Sequence, residues 1–180
     1  MVVNVHAGHA PAGCKGCGAV GYLNESAVAR QIKDEVILQL QQKGHKAYDT
    51  TYNKAGSAST VLNNIIRNCN LHKVDLDVSI HLNAGAKRGS DGRVTGTEVW
   101  VYNLANPKTL TPATRICNNM KALGFTNRGV KQSKTLAFLK KTKSPAILVE
   151  VCFVDDEDDY KLYLKTGYRN VAKAIVEGIV

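Results

Sequence analysis

Four residues of this chain, His9, Glu25, His81 and Glu150, are of types that bind metals and move protons, and each stands in a setting that needs explaining. His9 follows the apolar run Met1-Val2-Val3-Asn4-Val5, within His6-Ala7-Gly8-His9. Glu25 opens a long amphipathic segment. His81 closes Val78-Ser79-Ile80-His81, and Glu150 lies inside Ala146-Ile147-Leu148-Val149-Glu150-Val151. Three of the four sit at or inside apolar, strand-like runs, where an imidazole or carboxyl without a partner is expensive to desolvate. Two imidazoles and one carboxylate are the protein ligands of a catalytic zinc that keeps a position open for water. A further, unligated carboxylate is then a base for the water's proton. The residues are widely scattered, so no local spacing motif carries this reading; topology does. In an open α/β sheet, ligands bind at the carboxyl ends of the strands. His9, His81 and Glu150 fall at or near such ends, and Glu25, in the first turn of the helix after the first strand, is delivered to the same edge.

The elements that must do this positioning alternate between strand and helix. Strands are expected at Val2 to Val5, Lys46 to Tyr48, Val74 to His81 (Leu76, Val78 and Ile80 alternating), Glu98 to Tyr102, Leu136 to Leu139 and Ala146 to Val151. A Gly-rich loop from Gly8 to Gly21 precedes a helix over Glu25 to Lys43, in which Val28, Ile32, Val36 and Leu40 recur at spacing four with Ile37 beside them. Asn24 can cap its start and Gly44 its end. Further helices are expected at Ser59 to Leu71, with Leu62, Ile65, Ile66 and Cys69 on one face, at Pro112 to Leu123, and at Tyr168 to Val180, burying Val171, Ile175 and Ile179. The acidic run Asp155 to Asp159 suits a helix N-terminus, where negative charge meets the dipole. A loop is expected from Gly85 to Gly96. The fold class is α/β: a single domain with a mostly parallel or mixed six-stranded twisted sheet and helices on both faces. The pattern runs to the last residue, which leaves room for a second domain after Val180.

At 180 residues, with 44% hydrophobic and 22% charged residues, the chain can bury a core without disulfides. No apolar stretch has the length of a membrane span, and the N-terminus lacks the basic start and cleavage region of a signal peptide. Synthesis is therefore expected in the cytoplasm. The odd count of 5 cysteines argues against a disulfide framework. Cys69, Cys117 and Cys152 lie among apolar neighbours and read as buried small hydrophobes. Cys14-Lys15-Gly16-Cys17 has half-knuckle spacing, but no second pair exists to complete a structural zinc site, and free surface thiols are the preferred reading. His45 and His72, near helix ends, read as structural. Charge is distributed unevenly. Between Glu98 and Glu150 there is no acidic residue, and Lys108, Arg115, Lys121, Arg128, Lys131, Lys134, Lys140, Lys141 and Lys143 there carry the whole net charge of +9. An anionic surface or polymer is the natural partner of such a segment.

Gly8-His9, Asn24-Glu25-Ser26, the segment Asp75-Leu76-Asp77-Val78-Ser79-Ile80-His81-Leu82-Asn83-Ala84, Asn127-Arg128-Gly129-Val130-Lys131, and Pro145 through Glu150 to Phe153 together resemble the zinc-dependent N-acetylmuramoyl-L-alanine amidases. Within that family the chain is most similar to catalytic domains of endolysins from phages of clostridia, and the resemblance spans about Val2 to Ile179. Where family members commonly carry Asp-Pro-Gly-His, this chain has His6-Ala7-Gly8-His9. The resemblance implies that His9, Glu25 and His81 hold Zn2+ and that Glu150 is the catalytic carboxylate. The substrate it implies is the amide between N-acetylmuramic acid and L-alanine in peptidoglycan, reached at the cell wall after release, by a monomeric catalytic domain that a C-terminal wall-binding domain can follow. Asn83, two residues past His81, could bond a substrate amide or satisfy loop backbone. Two other readings compete. A nucleic-acid-binding module would use the basic segment, but leaves Glu150 and the histidines without a purpose and has only Phe125 and Phe138 as aromatics there; no nucleic-acid partner is expected. A zinc peptidase cutting within the stem peptide would use the same chemistry on another bond.

Overall fold

The computed structural model describes residues 1–85 and 94–180. The strands are β1 (Val2–Ala7), β2 (Lys46–Asp49), β3 (Leu76–Asn83), β4 (Thr97–Val101), β5 (Asn127–Gln132) and β6 (Ala146–Phe153). The helices are α1 (Glu25–Gln42), α2 (Ala58–Cys69), α3 (Pro107–Ala122), α4 (Ala137–Lys141), α5 (Glu157–Thr166) and α6 (Tyr168–Ile179). They form one sheet of 6 strands in the order β2-β1-β3-β6-β4-β5. β2, β1, β3 and β6 run parallel, β4 is antiparallel to β6, and β5 is parallel to β4. The sheet is thus mixed and mostly parallel, with helices on both faces as the alternating pattern implied.

Strand alternation divides the core. On β3, Leu76, Val78, Ile80 and Leu82 join Val3 and Val5 of β1 and the apolar faces of α1, α3 and α6 in one cluster. The opposite face meets α2 and α4 through Val61, Ile65, Ile66, Cys69, Phe138, Leu139 and Leu148. The expected helix faces are the buried ones: Ile32, Val36 and Leu40 in α1, and Val171, Ile175 and Ile179 in α6. Asn24 caps α1 by accepting from Ala27 N, and Asp156 caps α5 by accepting from Asp159 N, so the acidic run does open a helix. Cys69, Cys117 and Cys152 are buried, and Cys14 and Cys17 are free and half-buried.

Three expectations need correction. Leu136 to Leu139 is not a strand: Phe138 and Leu139 lie in α4, whose start is held by Ser133 Oγ accepting from Leu136 N at 3.2 Å. A four-residue apolar run fits a buried helical turn as well as a strand. The sixth strand is instead Asn127–Gln132, a charged edge strand with no buried residue, which an apolar pattern cannot find. Helix α3 begins at Pro107 rather than Pro112, because Asn106 accepts from Lys108 N and Pro107 occupies the first turn, where its missing N–H costs nothing. The loop expected from Gly85 to Gly96 falls largely outside the described residues.

Two irregularities interrupt the strand pairing. Between His81 and Asn83 the β3–β6 register shifts: His81 pairs with Glu150 but Asn83 with Phe153. One extra residue on β6 turns both Val151 and Cys152 into the larger core, a bulge directly beside Glu150. A second shift lies between β4 and β5, from Thr97↔Asn127 to Val99↔Val130. Both fall at the end of the sheet where the candidate residues gather.

Candidate metal centre

The chain leaves β1 at Ala7 and turns at once, with His9 at φ 64, a left-handed backbone that non-glycine residues adopt only when held. α1 holds it. Arg30 Nη2 donates to His9 O at 3.0 Å, and Ser26 Oγ donates to Ala10 O at 2.6 Å. Two glycines make room. A Cβ on Gly8 would lie 2.0 Å from Cε1 of His81, and one on Gly18 would lie 2.4 Å from Oε2 of Glu25 and 2.8 Å from Cδ2 of His9. The imidazoles and the carboxylate occupy the space that side chains at those positions would fill.

Around that space the expected residues converge. Glu25, 3% exposed, places Oε1 at 3.1 Å from His9 Nε2 and 3.0 Å from His81 Nδ1, while Leu82 N donates to the same oxygen at 3.3 Å. Ala19 N donates to Oε2 at 2.8 Å. The two rings stand edge to face with centroids 4.8 Å apart. One donor atom from each of His9, Glu25 and His81 lies within 4.8 Å of the other two, the spacing of ligands around a single ion. Burial works against ionising Glu25, but the hydrogen bonds from His81 and His9 and their charge outweigh it and hold this carboxyl well below the usual range. An anionic carboxylate facing two imidazole nitrogens is a donor set suited to a zinc-like cation, and the residues present fit one.

Glu150 stands beside this group without joining it. Its register partner on β3 is His81, so both side chains leave the same face of the sheet. Oε2 of Glu150 is buried and has no hydrogen-bond partner among the described residues. Burial, reinforced by the negative charges of Glu25 and Glu98, pushes its pKa up to about 8.

Sequence reasoning missed Glu98 and Arg128. Glu98 is the register partner of Glu150 on β4 and is 5% exposed. Its Oε1 accepts from Asn83 Nδ2 at 3.1 Å and from Trp100 Nε1 at 3.1 Å, and its Oε2 pairs with Arg128 Nε at 2.9 Å. His81, Glu150 and Glu98 therefore form a row across three strands, with Arg128 closing it. The signal was present: an acid inside the apolar strand Thr97-Glu98-Val99-Trp100 raises the same question that singled out Glu150. Asn83 also holds the start of the next loop, its side-chain oxygen accepting from Ala84 N at 2.9 Å. It lines an open cleft with Glu150, Glu98, Trp100 and Lys134, so both uses expected of it are compatible with its place. His45 and His72 have structural partners, His45 Nδ1 at the N-terminal amine (3.1 Å) and His72 stacked on Tyr48 at 4.0 Å.

The raised Glu150 pKa carries a testable consequence for metal-free protein. In the unfolded chain this carboxyl ionises near its ordinary value of 4.5, and in the folded protein only near 8. Between those values the native state holds a proton the unfolded state lacks, so stability falls as pH rises through the window. Unfolding measured in chelator at pH 5 and pH 8 should show this loss in the wild type and a smaller one in Glu150→Gln. Equal losses in both proteins would contradict the assignment.

Among known proteins, the chain is 33% identical over 180 residues to an uncharacterized protein of Clostridium perfringens, covering 99% of this chain and 51% of that protein. It is 31% identical over 169 residues to the endolysin of Bacillus phage SPP1, covering 88% of this chain and 61% of that protein. Among solved structures it matches the catalytic domain of the CD27L endolysin targeting Clostridia difficile, with TM-score 0.84 and 30% identity, covering 99% of this chain and 96% of that one. The chain spans about half the length of the first two curated relatives it matches (51% and 46%). The family model described as N-acetylmuramoyl-L-alanine amidase matches residues 3–180, and the chain belongs to that family.

Proposed function

We propose that this chain hydrolyses the amide between N-acetylmuramic acid and L-alanine in peptidoglycan, with zinc held by His9, Glu25 and His81 and with Glu150 as general base. The observation that carries the reading is the convergence of one donor atom from each of the three ligands within 4.8 Å, at the sheet edge where Glu150 is their neighbour. Bound there, zinc supplies a Lewis acid that brings the pKa of water from ~16 to about 7 and polarises a carbonyl.

The chain's own residues do the rest. Leu82 N and Ala19 N orient the Glu25 carboxylate, so its position does not depend on the ion alone. Glu150 stands next to the ligands, and the positive charge of a bound cation would favour its ionised form against burial and against Glu25 and Glu98; so ionised, it takes the proton of the attacking water and returns it to the departing nitrogen. Asn83 faces the same cleft and supplies an amide for the substrate's peptide groups, while Glu98 fixes its orientation. Lys134 lines the cleft beside Glu150, and Lys131, Lys134, Lys140, Lys141 and Lys143 have no acidic partner at salt-bridge distance among the described residues; such charges favour an anionic wall. No described helix is long and apolar enough to cross a membrane, and the wall is the expected place of action.

Clearing of purified walls tests the reading. Activity should vanish when a chelator removes the metal and return when zinc is added in excess. Undiminished clearing in chelator, by protein shown to be metal-free, would overturn it.

A further inference from the structure

At the opposite end of the sheet from the metal ligands, where β3 and β6 begin, lies an open cleft of about 1070 Å³ lined by Val74, Leu76 and Pro145 and by the cations Lys73, Lys108, Arg115 and Lys143. A neighbouring cleft of about 570 Å³ shares Lys108, Lys143 and Pro145 and adds Lys140, so the two make one continuous groove. Leu76 starts β3 and His81 lies near its end, which separates the groove from the metal ligands by roughly 17 Å at ~3.3 Å per residue.

The five cations come from three segments: the turn after α2, helix α3, and the end of α4 with the loop behind it. All are exposed, and none has an acidic partner at salt-bridge distance among the described residues. Asp75 is the one acid lining the groove, and its Oδ2 already accepts from Val2 N at 2.8 Å. The backbone that carries the cations is tied down. Asn70, at the end of α2, accepts from Lys143 N at 2.8 Å and donates to Lys141 O at 3.0 Å. Lys108 N donates to Asn106 Oδ1 at 3.1 Å, and Arg115 Nη2 donates to Glu177 O at 2.9 Å.

Five like charges along one groove repel one another, and an occupant that bears several negative charges relieves them. A row of cations calls for a charge at every repeat rather than one anion, and lysine binds phosphate as a point charge. Bases have no stacking platform here, because the groove's rings are Tyr102 and His72, and His72 is stacked on Tyr48. Stem-peptide carboxyls branch from the polymer whose amide must reach the metal end. We propose that this groove binds a linear polyol-phosphate polymer, a flexible chain with one phosphodiester per repeat and no bases. The inference rests on the amidase reading only in taking the cell wall as the place where such a polymer is met.

Poly(glycerol phosphate) is the probe, with binding to the whole chain followed by fluorescence anisotropy at several salt concentrations. Five contacts predict that the logarithm of affinity falls against that of salt with a slope of roughly −3 to −4. Lys73→Gln with Lys108→Gln should flatten the slope by about 1.4 and weaken binding roughly 10- to 30-fold at ~0.1 M salt. Lys131→Gln with Lys134→Gln removes the same charge outside the groove and should leave both quantities unchanged. Equal losses from the two pairs would reduce the effect to net charge and overturn the proposal, as would salt-insensitive binding. Tighter binding of an oligothymidylate of equal charge would make the groove a nucleic-acid surface and overturn it too. Thermal unfolding of each variant shows that the fold is kept. Protein that cleaves the wall amide but does not bind the polymer would remove the groove and leave the amidase reading standing. Protein that binds the polymer as described but cleaves no wall amide would do the reverse.

Discussion

Glu150→Gln is expected to slow wall digestion by roughly 10²-fold or more while zinc content stays at the wild-type level. Gln has the size and shape of Glu, so the packing of β6 between β3 and β4 is preserved. What it lacks is a proton-accepting oxygen at the position of Oε2, which is buried beside the ligands with no hydrogen-bond partner among the described residues. Glu150 is also absent from the set of donor atoms that converge at one point, which consists of His9, Glu25 and His81. Elemental analysis and turnover measured on the same preparation separate the two roles. A variant that loses its zinc would make Glu150 a ligand and would leave the base unassigned.

The complementary substitution, His81→Ala, is expected to remove both metal and activity. His81 supplies Nδ1 at 3.0 Å from Glu25 Oε1, and its ring fills the space that Gly8 leaves open. Without it the site retains one imidazole and one carboxylate, too few protein ligands to hold a catalytic zinc. Removing even an outer-shell partner costs roughly 10- to 100-fold in metal affinity, so losing a ligand should cost at least that much, and clearing of walls should fall with it. The strand itself should survive, since Val78, Ile80 and Leu82 on the other face carry its burial. Thermal unfolding of both proteins in chelator checks this. Full zinc occupancy in a folded His81→Ala protein would show that the ligand set is wrong.

Much of this arrangement was legible in the residues, because burial and alternation leave a strong imprint. Leu76, Val78 and Ile80 point to one face of β3, which obliges Ser79 and His81 to share the other, and the apolar run around Glu150 reads as a buried strand. Once those strands are parallel neighbours, His81 and Glu150 meet in register, and a helix following β1 brings Glu25 to the same edge. What stayed hidden was set by partners rather than by pattern. Asn127–Gln132 buries no residue and is a strand because β4 pairs with it and Glu98 holds Arg128. Leu136 to Leu139 carries apolar residues without a period, and the Ser133 hydroxyl decided for a helical turn. The left-handed backbone of His9 depends on Arg30, Ser26 and the open space at Gly8 and Gly18, contacts that form only when the loop is closed. Glu98 was readable by the logic applied to Glu150, but its meaning comes from β4 lying antiparallel beside β6.

The identity of the bond that is cut decides between an amidase and its rivals. Zinc chemistry with a single unligated base suits an amide, because the carboxyl that takes water's proton can return it to the departing nitrogen. A glycosidase places two carboxyl groups about the sugar linkage, and although Glu98 neighbours Glu150, its oxygens are held by Asn83, Trp100 and Arg128. Purified peptidoglycan digested by this chain should therefore yield new amino-terminal alanine, with no increase in reducing sugar ends. New amino termini on a later residue of the stem peptide would make the enzyme a peptidase. Reducing ends without free amines would contradict amide hydrolysis altogether.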